Sequence, residues 1–464
     1  MRLALLTEGT YPYAHGGVSV WCDQLIRALP RHHFDVYAIC ATGREESRWE
    51  VPDWATVHRV PLWPGTPPRR SPARPRPDVA GAYHDLLSSL VTPDGDAGFD
   101  RALRHLATAG DGTRLPDGDR PIGWLLDAWR HRPAGGPPMS VCDAMRIAEI
   151  LERWLLPLLW PGPPADLAHA TANGLAALPA LAAKWRHGTP MLVSEHGVYL
   201  RERYLCLAAD CYPWPVRATL LRFQRLLCTT VYRTADLVVA GNRYNRRWER
   251  HLGVPEDRLR TIYNGVDPDE FPAVTADPAV PALVWTGRFD PVKDLETLIR
   301  AFALVHERMP EARLRIVGGA RDGDPVYRQR CADLAGELGA AGAVEFTGRV
   351  PAVREVYAHA SVAVQSSVSE GFPYALIEAM MSGVPVVCTG VGGVPEAVGG
   401  AGIVVPPRDP DALAAGCLRL LADAGLRHRL GGAGRARALR LFTTERAVGA
   451  YDEVYRELTA GRPA

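Results

Sequence analysis

Two stretches of this sequence alternate short apolar runs with segments of helical periodicity. The first starts with LALLTE, continues through VSVWCDQLIRAL, whose apolar residues recur near helical spacing, and reaches the apolar run FDVYAIC. A strand, a helix and a second strand in this order predict a parallel pair with a right-handed crossover. The second stretch contains the apolar runs ALVWTG, RLRIVG, VEFTG, VAVQSS and VPVVCT, separated by further helical segments. The sequence therefore predicts an α/β fold with two doubly wound parallel sheets.

The length of the chain indicates two domains. Its 464 residues exceed the roughly 250–300 at which one hydrophobic core stops growing. We expect a Rossmann-like N-terminal domain over 1–275 and a Rossmann-like C-terminal domain over 276–440, because the Pro-containing stretch FPAVTADPAVPA is typical of a linker. The helical segments after Asp411 have no strands to pair with. We therefore expect the last helix, 441–464, to pack back across both domains.

The segment from about 61 to 143 is rich in Pro, Arg, Gly and Asp. It opens with PLWPGTPPRRSPARPRP, and Gly/Asp/Pro clusters recur at 94–96 and 110–119. This composition predicts an exposed insertion. We interpret the arginines from Arg69 to Arg76 as part of a solvated loop; contact with an anionic acceptor or a membrane surface is the alternative.

The overall composition excludes several classes of protein. With 53 basic and 52 acidic residues and 47% hydrophobic residues, the chain is neither disordered nor globally nucleic-acid binding, so any phosphate site must be local. The nine cysteines are expected to be reduced, since the close pair Cys206 and Cys211 lacks the second pair of a zinc site. The apolar run before Glu8 is too short for a signal peptide, and no stretch approaches ~18 apolar residues. We expect a cytoplasmic protein.

The segment SEGFPYALIEAM carries the strongest chemical signal. Glu370 and Glu378 lie eight residues apart where the run VAVQSS meets the next helix, and Pro373 occupies a position typical of a first turn. Backbone amides at such a junction point toward bound anions. Acidic residues near a helix start also favour the helix dipole, which accounts for Glu370 but not for the Gly-Phe-Pro insert between the two acids.

A pair of cations follows the run ALVWTG. Arg288 and Lys293 lie five residues apart in GRFDPVKDL, before a predicted helix. Two cations at a strand-to-helix turn suit a diphosphate, on which charge develops as a glycosidic bond breaks. Lys293 is one of only two lysines in the chain, with Lys184. A solvated pair that caps the turn is the alternative.

Two weaker signals lie in the N-terminal half. Gly16 and Gly17 precede a helix and would let the backbone approach a phosphate, by a positive φ or by close contact. His196, in SEHG at the end of a strand, is a candidate contact to the transferred group, although a lone histidine is more often structural. The string Asp267-Pro268-Asp269 is not interpreted as a metal site, because Pro268 stiffens it and no further carboxylate is implied.

Taken together, these motifs resemble a known family. The segments GGVSVW, SEHG, YNGVD, GRFDPVKDLETLIRAFALV, SEGFPYALIEAM and VGGVPEAV are similar, in order, to the retaining family 4 glycosyltransferases of GT-B fold, in which two Rossmann-like domains face each other across a cleft. The segments EGTYPYAHGGVSVW and SEHGVYLRER resemble the subgroup of PelF-like exopolysaccharide glycosyltransferases.

The resemblance implies roles for individual residues. The N-terminal domain would bind the acceptor and the C-terminal domain the nucleotide sugar. Glu378 would bind the ribose, and Arg349 with Val350 would border the base. The implied catalytic residues are His196, Glu370, Arg288 and Lys293. The implied donor-binding residues are Gly16, Gly17, Arg288, Lys293, Arg349, Val350, Glu370, Gly371, Phe372, Pro373, Tyr374 and Glu378.

The implied reaction moves a sugar from a nucleotide diphosphate sugar, by default UDP-glucose, to an acceptor hydroxyl with retention. No metal and no further cofactor are expected. The acceptor is a saccharide, a lipid-linked glycan or a small molecule; no nucleic acid is expected, and peripheral membrane or synthase-complex association stays open. A non-catalytic nucleotide-binding subunit of a polysaccharide-synthesis complex and a GT-B-fold nucleotide-sugar epimerase are the alternatives. A phosphorylase would need a pyridoxal-phosphate lysine from the two available, and a dehydrogenase lacks GxGxxG after the first strand.

Overall fold

The structure is a computed structural model that describes residues 1–63, 76–110, 113–132, 135–160, 164–209, 211–274, 276–320 and 325–460. The chain forms two compact units. Unit 1 comprises Met1–Ala240, Arg246–Thr261 and Tyr451–Ala464, and unit 2 comprises Gly241–Asn245 and Ile262–Ala450. The predicted domain limits at 275 and 440 stay predictions.

Unit 1 is built on a seven-stranded parallel sheet. Its strands are β1 (Arg2–Glu8), β2 (His33–Cys40), β3 (Ala55–Pro61), β4 (Leu167–Ala170), β5 (Met191–Glu195), β6 (Leu237–Ala240) and β7 (Leu259–Thr261). Their order in the sheet is β3-β2-β1-β4-β5-β6-β7. Leu5 in the central strand pairs with Val36 on one side and His169 on the other. The predicted strand–helix–strand unit at the N-terminus is thereby confirmed.

Nine helices in the described residues connect these strands. They are α1 (Gly17–Ala28), α2 (Pro77–Ser89), α3 (Asp96–Thr108), α4 (Asp119–Arg130), α5 (Val141–Leu159), α6 (Leu178–His187), α7 (Tyr199–Ala209), α8 (Trp214–Thr234) and α9 (Arg243–His251). The start of α5 shows how the sequence sets a boundary. The Ser140 hydroxyl accepts the Asp143 amide while the Asp143 carboxylate accepts the Ser140 amide, a capping box that satisfies two amides of the first turn.

The interpretation of 61–143 as an exposed insertion is wrong for its described residues. Helices α2, α3 and α4 belong to the core of unit 1, where Tyr83, Phe99, Leu103 and Leu125 are fully buried. Turn-forming residues between the helices obscured an apolar spacing of three and four residues. The cluster from Arg69 lies outside the described residues except for Arg76, which pairs with Asp78.

Unit 2 contains a six-stranded parallel sheet in the order β10-β9-β8-β11-β12-β13. These strands are β8 (Ala282–Phe289), β9 (Arg313–Ala320), β10 (Val344–Gly348), β11 (Val362–Gln365), β12 (Val386–Thr389) and β13 (Ile403–Val405). The helices are α10 (Leu295–Arg308), α11 (Pro325–Glu337), α12 (Val353–Ala358), α13 (Tyr374–Met381), α14 (Val394–Val398), α15 (Pro410–Ala422), α16 (Ala424–Leu441) and α17 (Thr444–Thr459), the last of which continues into unit 1.

The prediction of two parallel α/β domains is confirmed. Two apolar clusters flank the second sheet, one around Phe302 and one around Ile377. The segment after Asp411 is helical, as predicted; its packing across both domains stays a prediction. Within the described ranges, no helix combines the length and apolar character that a membrane span requires.

Candidate functional site

Two loops of unit 2 meet at Lys293 and Glu370. Lys293 ends the short turn Pro291–Lys293 after β8, which begins where the Asp290 side chain accepts the Val292 amide. Its Nζ donates to Oε1 of Glu370, in the loop after β11. The backbones are joined as well, since the Val368 amide donates to the Val292 carbonyl at 2.9 Å. The predicted residues Lys293 and Glu370 are therefore direct neighbours.

The Glu370 carboxylate is held by more than its ion pair. Its Oε1 also accepts hydrogen bonds from Gln365 Nε2 and Ser367 Oγ, both at 2.8 Å, and only 8% of the side chain is exposed. A buried carboxylate needs this number of donors to offset the loss of water. Sequence reasoning missed Gln365 and Ser367, which are the last residue of β11 and a residue that follows it.

The backbone at Glu370 and Gly371 is fixed from the other side. Gly392 has φ +55°, and a Cβ on it would lie 1.7 Å from the Glu370 carbonyl oxygen. Only glycine fits there. Asn242 Nδ2 donates to the Gly371 carbonyl at 2.8 Å. Among the described residues, the amides of Gly371 and Phe372 have no hydrogen-bond acceptor, so they are available to an anion.

The remaining residues of this loop divide between core and surface. The Phe372 ring is 8% exposed and packs against Tyr263 and Phe442, with centroids 6.1 and 5.5 Å away. It can offer a ligand only its backbone. Pro373 is the N-cap of α13 and not a first-turn residue, a shift of one position, and the partly exposed Tyr374 begins the helix.

Glu378 lies on α13 with part of its surface exposed. Burial raises its pKa to about 7, a shift that the hydrogen bond from the Tyr357 hydroxyl opposes. That hydroxyl is also within hydrogen-bond distance of Thr286 Oγ1 and of the Ala375 carbonyl. Glu378 therefore changes charge near neutral pH at an accessible position.

Two arginines and a valine complete the predicted group in unit 2. Arg288, on β8, is 42% exposed and pairs with Asp290 at 3.0 Å. Arg349, just after β10, lies over β9, where a Cβ on Gly319 would be 3.3 Å from its Cγ. Gly319 is the register partner of Arg288. Both arginines therefore lie near the carboxyl ends of the strands of this sheet. Val350 packs against the apolar cluster around Ile377.

The predicted residues of unit 1 are Gly16, Gly17 and His196. Gly16 is extended, with φ 162°, so the positive φ anticipated for this loop is not found there; a Cβ on Gly16 would meet no atom within 4 Å. Gly17 begins α1. His196 follows β5, and its ring packs edge-on against Trp21 of α1 at 4.6 Å.

Sequence reasoning missed the side chains behind His196. Trp21 also contacts the rings of His169 and Tyr451, at 5.5 and 5.1 Å. His169 hydrogen bonds to Tyr455 through Nδ1 and to Ser194 through Nε2, at 2.8 and 2.7 Å. Burial lowers the pKa of His169 to about 3, so this wall is neutral. Trp21 could have been found, since it lies one helical turn after Gly17.

Family comparisons agree with this architecture. Residues 1–257 match a domain of unknown function (DUF3492), and residues 280–423 match the family described as glycosyl transferases group 1. The D-inositol 3-phosphate glycosyltransferase of Nocardiopsis dassonvillei is 32% identical over 358 residues, which are 72% of this chain and 80% of that protein. The chain belongs to the group 1 glycosyltransferases.

Other relatives of this group 1 glycosyltransferase match it over less of their length. The D-inositol 3-phosphate glycosyltransferase of Streptomyces bingchenggensis is 33% identical over 46% of this chain and 50% of that protein, so the chain spans about half the length of the first curated relatives it matches.

Solved structures share the fold. Sucrose-phosphate synthase from Thermosynechococcus elongatus has a TM-score of 0.66 and 21% identity over 99% of this chain and all of that chain. HepE of Anabaena in complex with UDP and glucose has a TM-score of 0.61 and 15% identity over 98% of both chains. Both structures show a GT-B fold for this group 1 glycosyltransferase. The PelF-like subgroup and membership of family 4 stay predictions.

Proposed function

We propose that this chain is a retaining glycosyltransferase that moves a sugar from a nucleotide diphosphate sugar to an acceptor hydroxyl. The observation that carries the proposal is the junction of Lys293 and Glu370, with the open amides of Gly371 and Phe372 beside it. A cation, an acid and free amides at a parallel-sheet edge suit a donor that has both a diphosphate and a sugar. We propose UDP-glucose as the default donor, because HepE binds UDP and UDP-glucose in a similar fold.

Each group has a proposed contact. Arg288 and Lys293 bind the diphosphate, because guanidinium and ammonium groups stabilise the charge that develops on it. Glu378 accepts the ribose hydroxyls, and Arg349 with Val350 borders the base. In unit 1, the open space beside Gly16 admits a phosphate next to Gly17, and His196 contacts the transferred sugar.

We propose a front-face displacement. The bond between the anomeric carbon and the diphosphate oxygen breaks as the acceptor oxygen bonds to the same face of that carbon, and the acceptor proton passes to the departing diphosphate. Glu370 acts as a binding group for the sugar, since one of its oxygens already accepts three hydrogen bonds and is poorly placed for attack as a nucleophile. The acceptor is a saccharide, a lipid-linked glycan or a small molecule. No metal forms part of the proposal.

The test is a panel of UDP-, GDP- and ADP-sugars, with thermal shift and slow donor hydrolysis as readouts. Lys293→Gln and Glu378→Gln are compared with the native chain. Lys184→Gln is a matched control, because Lys184 is the other lysine and is also ion-paired, with both oxygens of Asp236 at 2.7 Å. We expect one donor to stabilise the native chain and to be hydrolysed, and Lys293→Gln to lose about 10²-fold or more in hydrolysis rate.

Other outcomes favour other functions. A donor that binds without hydrolysis or transfer, whatever acceptor is added, supports the non-catalytic subunit. A sugar that returns epimerised supports the epimerase. If no nucleotide sugar shifts the melting temperature, or if Lys184→Gln reduces hydrolysis as much as Lys293→Gln does, the proposed site is wrong.

A further inference from the structure

Unit 1 contains a cavity that the proposed reaction does not use. It has a volume of about 610 Å³ and lies among α7, α8 and α9. Ligand sites in proteins usually measure about 300–1,000 Å³. One side is formed by Val198 and Leu200, which follow His196 in the chain by two and four residues. We name this cavity the helix-layer pocket.

The charge of the helix-layer pocket is predominantly positive. Arg201, Arg225 and Arg233 line it, with Asp96 as the acidic residue. Asp96 is already engaged, because Arg222 and Arg233 approach its carboxylate at 3.3 and 3.9 Å. Arg225 is exposed and has no acceptor among the described residues. Its guanidinium group is therefore free to bind an anion in a bidentate manner.

The pocket also presents flat apolar surface. Tyr204 is 44% exposed, and the indole of Trp248 forms another part of the lining. The Trp248 Nε1 atom is buried, and within the described part of the chain no acceptor lies within hydrogen-bond distance of it. The indole therefore contributes to the pocket through its aromatic ring and not through its N–H.

We propose that the helix-layer pocket binds an anionic saccharide, a sugar that bears a phosphate or a carboxylate. The C–H face of a pyranose packs against an aromatic ring, and the anion pairs with Arg225. The unpaired arginine and the aromatic lining of the pocket indicate a ligand with an anionic group and a flat ring. That this ligand is a sugar rests on the proposed function. The pocket adds a saccharide site on the helix layer to the donor site of unit 2.

The test is calorimetric titration of the full chain with glucose 6-phosphate, glucose and inorganic phosphate. We expect glucose 6-phosphate to bind more tightly than either of the other probes. Arg225→Gln removes a charge-assisted contact and should weaken binding at least about tenfold. Tyr204→Ala removes an exposed aromatic face of the lining and should weaken binding by about two- to tenfold. Arg104→Gln is the matched control, an exposed arginine on α3 outside the pocket, and should bind as the native chain does.

A second arm separates a free sugar phosphate from a lipid-held one. Phosphatidylcholine vesicles with a polyprenyl glucosyl phosphate are sedimented with the native chain and with Arg225→Gln. Binding of the soluble sugar phosphate or of the vesicles supports the proposal if Arg225→Gln abolishes that binding. The probe that binds shows whether the ligand is free or held by a lipid. Equal affinity for glucose and glucose 6-phosphate, equal affinity for phosphate alone, no binding in both arms, or an unchanged Arg225→Gln overturns it.

Donor hydrolysis of the native chain is measured in the same preparation. If UDP-glucose is hydrolysed and no anionic sugar binds, only the pocket assignment fails. If an anionic sugar binds and no donor is hydrolysed, the proposed function fails and the pocket stands.

Discussion

The carboxyl ends of the strands differ in charge between the two units. In unit 2 this edge carries Arg288, Lys293 and Arg349, and Lys293 pairs with the buried Glu370. In unit 1 the corresponding edge carries His196, which packs against Trp21, and Glu8 at the end of β1, whose pKa is raised by burial. The first edge is equipped to hold an anion by charge, whereas the second positions one side chain by packing. The two edges should therefore respond to different kinds of substitution.

The two units also differ in whether their buried carboxyl groups can be reached by a ligand. Glu378 of unit 2 keeps an accessible surface, with a pKa of about 7. In unit 1, Glu195 and Glu249 are 3% and 1% exposed. Burial raises the pKa of Glu249 to about 8, and burial together with the nearby Glu249 raises that of Glu195 well above its ordinary value. Glu378 can therefore contact a ligand, whereas Glu195 and Glu249 affect only the stability of the fold.

The largest effect is expected from Glu370→Ala. The substitution leaves Lys293, Gln365 and Ser367 without their shared acceptor, so we expect a loss of about 3–5 kcal/mol of stability and of about 10²- to 10³-fold in donor hydrolysis. Urea denaturation and hydrolysis assays measure the two losses. Asp236→Asn is the control, because Asp236 precedes β6, away from the carboxyl ends of the strands, and its pair with Lys184 is 24% and 36% exposed; it should cost about 1 kcal/mol or less and spare hydrolysis. Equal losses of hydrolysis in the two variants would show that the effect of Glu370→Ala does not depend on the position of this carboxylate at the strand ends.

Trp21→Ala tests the packed edge. Loss of a buried tryptophan should cost about 3–5 kcal/mol, and the ring that contacts His196 disappears, so sugar transfer should fall even in the folded fraction. Leu25→Ala on the same helix is the control, because Leu25 is 1% exposed and belongs to the same buried face. It should reduce stability without reducing the transfer rate per folded molecule. A similar rate loss in both variants would mean that Trp21 acts through stability alone.

Structural features that depend on local sequence could be predicted, whereas contacts between residues far apart in the chain could not. Both sheets were predictable, because each strand is a short apolar run and needs no information from elsewhere. Lys293 and Glu370 were predictable as candidates, because each follows a strand in a parallel sheet whose loops meet at one edge. In contrast, Asn242 and Gly371 are 129 residues apart, and Ser194 and Tyr451 are 257 apart. No local pattern indicates such contacts.

Helices α2 to α4 were missed for a different reason. Their apolar residues have helical spacing, but Pro, Gly and Asp at the helix ends dominate the composition of the segment. The helix-layer pocket was also beyond sequence reasoning, since Arg225 and Trp248 come from separate helices and meet only after folding.

Glu249→Gln should change how stability depends on pH. A carboxyl whose pKa is raised by folding keeps its proton in the folded state, whereas the unfolded chain releases it. The contribution of Glu249 to the free energy of unfolding therefore falls by about 1.4 kcal/mol per pH unit between about pH 5 and 8, and levels off above. Denaturation at several pH values should show a shallower fall for Glu249→Gln than for the native chain. Glu46→Gln, at an exposed position, should keep the native slope; a parallel Glu249→Gln curve would show that Glu249 ionises freely.

The smallest effect is expected from the pH dependence of donor binding. Glu378 accepts ribose hydroxyls best as a carboxylate, and with a pKa of about 7 its ionised fraction rises about tenfold from pH 6 to pH 8, so the donor KM should fall by up to about that factor. The diphosphate of a nucleotide sugar is esterified at both ends and does not titrate in this range, so the dependence reports on the protein. Glu378→Gln should raise KM and flatten the profile, because a neutral amide has no charge to gain. If the profile of Glu378→Gln still follows that of the native chain, another group controls it, and the partly exposed carboxyl of unit 2 would then resemble the enclosed carboxyls of unit 1 in acting on stability alone.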